Sequence, residues 1–355
     1  MKRFLLAVAA VAFFLAAWFS YRIVIGSGML REIQPHFAGT CRTVGNVIGA
    51  EDVTIDRTSG VAFLSADDRR ATLAGRPQRG EIYTLDLRNP EARPVPRTRG
   101  ILEKFHPHGI SLWRSPQGSL RLFAINHLTP VDHRVEVYDV EPEGLIHRES
   151  ITYPELTSPN DLAAVGPREF YASNDRGYPE PGWRQTLEAY LQLPWASVSH
   201  FAEGRSRLVV EGLAFANGVN VSADGNTVYV AECLGRAIHF YERNRATGDL
   251  RWQRTVSLDS CPDNIEVDER GQLWVAAHPK LFNLLAHAAD PEKLAPSQVL
   301  RIDPQSGLVE EVFLDSGKLI SAASTAAVAG GQMVIGAIFD PKVVVCEGFS
   351  SAPPS

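Results

Sequence analysis

One short pattern recurs along this chain and fixes what it can fold into. Its copies begin at Glu51-Asp52, His108-Gly109, Asn160-Asp161, Asn217-Gly218 and Asp263-Asn264. After each comes a short apolar stretch, a turn that usually contains Gly, and a second run rich in strand-forming residues. Those runs are Val61 to Leu64, Leu122 to Ile125, Phe170 to Ser173, Val228 to Ala231 and Leu273 to Ala276. A weaker sixth copy runs from Ser324-Thr325 through Gly330-Gly331 to Met333 to Gly336. Short strands repeating roughly every 45–60 residues mark a propeller. The expected fold class is therefore all-β, a six-bladed β-propeller. Equivalent positions of all blades face one axis, so the polar starts of the copies should gather at one place.

Hairpin geometry sharpens that expectation. Ile110 to Trp113 and Leu120 to Ile125 flank a turn at Pro116-Gln117-Gly118, and Val219 to Val221 and Thr227 to Ala231 flank Asp224-Gly225. In an antiparallel pair the start of the first strand and the end of the second share a rim. His108 begins the first strand of blade two and His127 ends its second, so the two imidazoles should meet. Asn174-Asp175, Glu232 and His278 end their second strands near the same rim. Gly182 to Leu193 breaks the β pattern with helical spacing and predicts an inserted amphipathic helix. Phe282 to Ala289 reads as a second, shorter one.

Glu51, Asn160, Asn217, Asp263 and Asn264 offer only oxygen donors. Carboxylates mixed with amide carbonyls suit Ca²⁺, which takes about 6–8 oxygens, and do not suit zinc. Adjacent residues on extended backbone point opposite ways. Asp52 and Asp161 thus need a different partner from Glu51 and Asn160, and a second Ca²⁺ deeper in a central tunnel would supply it. Beside such an ion His108 and His127 become general-base candidates, with Asp263 a rival base. No G-x-S-x-G elbow, cysteine nucleophile context or phosphate-cradling Gly loop appears, which disfavours covalent catalysis.

The N-terminus has another character. Lys2-Arg3 precedes an apolar stretch from Phe4 to Phe19, extended by Ile23 to Ile25. This layout predicts an export signal, and the want of a small-x-small cleavage site favours an uncleaved signal-anchor over residues 1–25. The domain over 26–355 would then lie on the exported side, tethered to a membrane. Export permits disulfides. Closing a circular sheet joins the two ends of the chain, so Cys41 and Cys346 should be neighbours and should bond. Cys233 and Cys261 are left open as a second bridge or two buried thiols. The net charge of −6 and the absence of a Lys/Arg cluster exclude a nucleic-acid partner.

Taken together these segments resemble the paraoxonase/arylesterase family of calcium-dependent lactonases. The resemblance covers roughly residues 34–347. It rests on Gly49 to Asp52, Pro107 to Ser111, Asn126-His127, Asn160-Asp161-Leu162 with Val165 to Pro167, and Phe170-Tyr171 through Asn174-Asp175. It continues in Phe215 to Asn220, Asp263 to Ile265, Leu273 to Val275 with His278-Pro279, and Val345 to Glu347. The resemblance implies two calcium ions in the tunnel of a six-bladed propeller. Glu51, Asn160, Asn217, Asp263 and Asn264 would hold the catalytic ion, and Asp52, Asp161 and the Ile110 carbonyl the structural one. It further implies a His108–His127 dyad as base, a Cys41–Cys346 disulfide and a retained N-terminal segment. Ala277 departs from the family, whose better-known members carry a free Cys there.

The reaction so implied is hydrolysis of lactones, acyl-homoserine lactones among the candidates, with aryl esters and organophosphate triesters as promiscuous substrates. Apolar walls from the inserted helix would select the acyl chain. Two rivals are a gluconolactonase-type sugar-lactone hydrolase and a non-catalytic propeller that uses calcium only to hold its blades.

Overall fold

The repeats fold into six antiparallel sheets arranged as blades. The computed structural model describes residues 1–350 apart from Arg99 and Ile101. The innermost strands are Ala50–Asp56, Pro107–Arg114, Pro159–Gly166, Ala216–Val221, Cys261–Val267 and Ala323–Ala329, each starting with one copy of the sequence pattern. Neighbouring inner strands touch all the way round, and that of blade six meets that of blade one. The expected propeller is the observed one.

Apolar side chains on both faces of each sheet explain why the ring holds. Six hydrophobic clusters form, one wedged between each pair of adjacent blades. Leu162, Phe170 and Phe201 of blade three, for example, pack on Phe123, Ile125 and Val137 of blade two. Because inner strands are covered on both sides, strict alternation is lost, and every residue of Ala323–Ala329 is buried.

Closure uses both ends of the chain. Thr40–Gly45 becomes the outermost strand of blade six by pairing antiparallel with Lys342–Glu347. Cys41 and Cys346 face each other in that pairing and are bonded. His36–Phe37 adds a fifth strand to blade five, on Val309–Asp315. The second cysteine pair is bonded too, with Cys233 after blade four's second strand tied to Cys261 at the start of blade five.

Among the described residues four helices lie outside the sheets: α1 (Lys2–Gly26), α2 (Arg69–Leu73), α3 (Trp183–Leu191) and α4 (Leu281–Ala289). Both inserted helices read from the sequence form. Helix α2 was not expected; Asp68 caps it by accepting from the Ala71 amide at 2.9 Å. The end of α1 docks on the propeller, where the Ser27 carbonyl accepts from the Leu281 amide (2.9 Å) and the Ile25 carbonyl from Arg236. Among the described residues no helix is long and apolar enough to cross a membrane, so the spanning reading of residues 1–25 gains no support from the structure.

One local device positions the site. The inner strand of every blade slips register near its start: between Ala50 and Asp52, Pro107 and Ile110, Pro159 and Leu162, Ala216 and Val219, Pro262 and Ile265, and Ala323 and Thr325. These β-bulges free both residues of the polar doublets in blades two to five, and Glu51 and Ser324 in blades one and six, from ladder pairing, as bulges beside functional sites do. Crowding follows at the axis. A Cβ on Gly109 would lie 2.5 Å from the Asp161 Cα, and one on Gly218 would lie 2.6 Å from the Asp263 carbonyl oxygen. Gly109→Ala should therefore lower stability by about 1–3 kcal/mol. Urea midpoints would check this, and an unchanged midpoint would show that blades two and three do not approach this closely.

Candidate active site and metal centre

The oxygen donors foreseen from the sequence sit on the bulges of blades one, three, four and five, and all are buried. Asn264 Nδ2 donates to Glu51 Oε1 at 2.9 Å, which brings blade five against blade one. Asp263 Oδ2 accepts from His278 Nε2 at 2.7 Å, a bond that orients the carboxylate from behind. Glu51 Oε2 and the Oδ1 atoms of Asn160, Asn217 and Asn264 are buried and hydrogen-bonded to nothing in the protein. Each such orphan costs about 1–3 kcal/mol if left unpaired. Four of them, all oxygens, fit a hard divalent cation such as Ca²⁺, which would satisfy them together. Among the described residues no three His, Cys, Asp or Glu side chains form a metal cage. The donor set explains this, because three of its members are the amides Asn160, Asn217 and Asn264.

The backbone of the site is stapled from neighbouring blades. Ser65 Oγ donates to the His108 carbonyl, Ser173 Oγ to that of Asn217, and Ser324 Oγ to that of Glu51, each at 2.5 Å. Asp52 and Asp161 act on a second level. Asp52 Oδ2 accepts from the Ile110 amide and Asp161 Oδ2 from the Val219 amide, both at 2.7 Å, while their Oδ1 atoms accept from Val53 and Leu162. Each aspartate thus clamps the next blade. Ile110, expected to contribute its carbonyl, meets Asp52 through its N–H.

Charge is concentrated here. Burial, then the neighbouring Glu51, raises the Asp52 carboxyl above the ordinary carboxylate range, and burial and Asp52 raise Asp161 well above it. Burial also raises Asp263, against the pull of His278. Glu51 moves the other way: burial alone would raise it, but His108 and Arg69 hold it low. A cation beside these groups would relieve the repulsion among the carboxylates.

The two histidines meet as the hairpin argument required. His108 Nδ1 lies 2.8 Å from His127 Nε2, and His108 Nε2 lies 3.5 Å from Glu51 Oε2. Both rings line a cavity of about 720 Å³ together with Leu73, Leu128, Phe339 and several prolines. Asp263, the rival base, does not line it. Burial, then the neighbouring His108 and His133, lowers His127 well below the usual imidazole value, so this ring is neutral near pH 7.

Three features were not foreseen. Arg69, on α2, donates to the Gly49 and Pro107 carbonyls at 3.0 Å and lies 3.9 Å from Glu51 Oε2. It stands outside the repeat, so periodicity gave no sign of it. His133 joins the pair, its Nδ1 2.8 Å from His127 Nδ1. Two histidines flanking the short segment Leu128 to Asp132 were the signal that could have found it. Helix α3, expected as an apolar wall, gives the cavity only Gln185, while Trp183 is 71% exposed.

A family model described as Arylesterase matches residues 37–347. Serum paraoxonase/arylesterase 1 of Homo sapiens is 34% identical over 333 residues, covering 90% of this chain and 91% of that protein. Human serum paraoxonase/arylesterase 2 is 32% identical over 329 residues, covering 89% and 91%. Among solved structures, a putative gluconolactonase superposes with a TM-score of 0.56 at 16% identity, covering 90% of this chain and 94% of that one. A calcium-binding regucalcin from Agrobacterium tumefaciens gives 0.53 at 14% identity, covering 88% and 94%, a likeness of fold. With the family model spanning nearly the whole propeller and relatives above 30% identity along most of their length, this chain belongs to the arylesterase family.

Proposed function

We propose that this arylesterase-family hydrolase is calcium-dependent and opens lactones, acyl-homoserine lactones among them, with aryl esters and organophosphate triesters as secondary substrates. The observation that supports this best is the group of orphaned buried oxygens lying beside a cavity-lining histidine. Glu51, Asn160, Asn217, Asp263 and Asn264 would hold one Ca²⁺; Asp52 and Asp161, with the Ile110 carbonyl, would hold a second. Bound there, calcium supplies a Lewis acid that polarises an ester carbonyl and offsets the charge developing on its oxygen.

The rest is the work of the side chains. His108 Nε2 is the atom placed to take a proton from water, being next to Glu51 Oε2 and in the cavity wall. His127 Nε2 fixes the ring through Nδ1. Leu73, Leu128, Phe339 and the prolines offer an apolar acyl chain a dry surface, while Arg176 and Lys104 stand among the polar lining residues. Comparing turnover of aliphatic acyl lactones and of phenyl acetate with that of polar sugar lactones tests the substrate class. Preference for sugar lactones would transfer the site to the gluconolactonase reading.

His108→Gln should lower lactone and phenyl acetate turnover by roughly 10²- to 10⁴-fold, the range for a lost general base. Calcium content should stay as it was, because the imidazole is outside the oxygen set. Unchanged turnover would remove the histidine pair from the mechanism. Two disulfides fit an oxidising compartment, so the propeller is read as exported. A tether through residues 1–25 would show as co-sedimentation of the full chain with membranes.

A further inference from the structure

We propose, resting on the calcium reading above, that the Cys233–Cys261 disulfide is a positioning device for the metal site: it fixes the spacing between the oxygen donors of blade four and those of blade five. Cys233 directly follows Thr227–Glu232, the second strand of blade four, and Cys261 opens Cys261–Val267, the inner strand of blade five. The bridge therefore skips the two outer strands of blade four, Ala237–Arg243 and Leu250–Ser257, and ties one inner region straight to the next. Cys41–Cys346, by contrast, joins the two outer strands of blade six, on the rim of the ring.

Both ends of the bridge stand close to donors in the chain. The Cys233 amide donates to the Phe215 carbonyl at 2.9 Å, and Phe215 is two residues before Asn217. Phe215 holds φ at 66°, a conformation that a bulky side chain keeps only where its surroundings impose it. Cys261 is two residues before Asp263, and its ladder partner is His278, which donates to Asp263 Oδ2. One covalent link thus holds the approach to Asn217 at one end and the hairpin end bearing Asp263 at the other. Metal–ligand distances are tight to about 0.2 Å, so donors drawn from separate blades bind an ion only if the blades keep their spacing.

Other junctions show what the link replaces. In blades one and three the second-strand residue beside the bulge is a serine, Ser65 or Ser173. Its hydroxyl donates to the first doublet carbonyl of the next blade, that of His108 or Asn217. Register puts Ala231 at this place in blade four, and it has no hydroxyl to offer Asp263. Further along the strands Asn220 Nδ2 donates to the Ile265 carbonyl at 2.7 Å. At the level of the donors the disulfide is the tie between these two blades, and both cysteines are buried.

Calcium Kd, measured by chelator competition on full-length protein, and urea midpoints of the same preparations separate positioning from stability. Cys233→Ala/Cys261→Ala should bind calcium at least about tenfold more weakly than the wild type, the scale of a lost outer support of a metal ligand, under conditions where circular dichroism shows it folded. Cys41→Ser/Cys346→Ser should keep the wild-type Kd although its urea midpoint falls further. A role in stability alone predicts the reverse order, because the ring-closing bridge is the costlier one to lose. A wild-type Kd in Cys233→Ala/Cys261→Ala would overturn the proposal, and so would an equal loss of affinity in both pairs. Wild-type protein that binds no calcium would overturn the calcium reading, and the positioning role with it. Should the alanine pair not fold, Cys233→Ser/Cys261→Ser is measured in its place, with the same outcomes for and against.

Discussion

Glu51→Gln should weaken calcium binding and lower lactone turnover, each by at least about 100-fold, while leaving the propeller folded. Loss of an outer partner of a metal ligand already costs 10- to 100-fold in affinity or activity, and Glu51 is placed to be a ligand itself. It brings one of only two carboxylates to a donor set otherwise made of amides. Its Oε1 is engaged by Asn264 Nδ2, and its Oε2 is buried without a partner. Gln preserves the length of the side chain and the oxygen that Asn264 needs. It replaces the orphaned oxygen with an N–H₂ donor, which repels a cation. Isothermal titration with calcium and phenyl acetate kinetics on the same preparation would check this. A variant that binds calcium as the wild type does would mean that Glu51 is only a buried structural carboxylate.

Breaking the Cys41–Cys346 bond should cost more stability than breaking Cys233–Cys261. The first bridge spans 305 residues and the second 28. On the chain-entropy model those loops correspond to about 5–6 and about 3–4 kcal/mol. For a domain with a total stability of about 5–15 kcal/mol, the first loss is severe. It also falls where the ring is closed by a strand, Thr40–Gly45, whose neighbour comes from the far end of the sequence. The double variant Cys41→Ser/Cys346→Ser should unfold at markedly lower urea than Cys233→Ser/Cys261→Ser. Equal midpoints would show that strand pairing alone closes the ring.

Most of the architecture was legible because a propeller writes the same strand pair repeatedly. The turn residues Asp224-Gly225 and Arg270-Gly271 fall where hairpins form, and the polar doublets fall where inner strands begin. Harder to read was what happens at the doublets. Alternation on extended backbone assigned Asp52 and Asp161 to a second ion, without any sign of the bulges on which they stand or of the neighbouring amides they accept from. Bulges depend on how closely the next blade approaches, a tertiary fact that only Gly109 and Gly218 hint at. Arg69 and His133 were missed for opposite reasons. Arg69 comes from a short helix outside the repeat, whereas His133 lies inside a strand whose partner was already assigned a role. The N-terminal segment reads as a span by composition, yet the last turn of α1 is occupied with the propeller through Ile25 and Ser27.

The calcium content of the purified full-length protein, measured together with its esterase activity before and after chelation by EGTA, addresses the central claim most directly. The expected result is bound calcium, loss of phenyl acetate and lactone hydrolysis on its removal, and recovery when calcium but not magnesium is restored. Protein that carries no calcium and hydrolyses these substrates undiminished in EGTA would contradict the account, leaving the orphaned oxygens of Glu51, Asn160, Asn217 and Asn264 in need of another explanation.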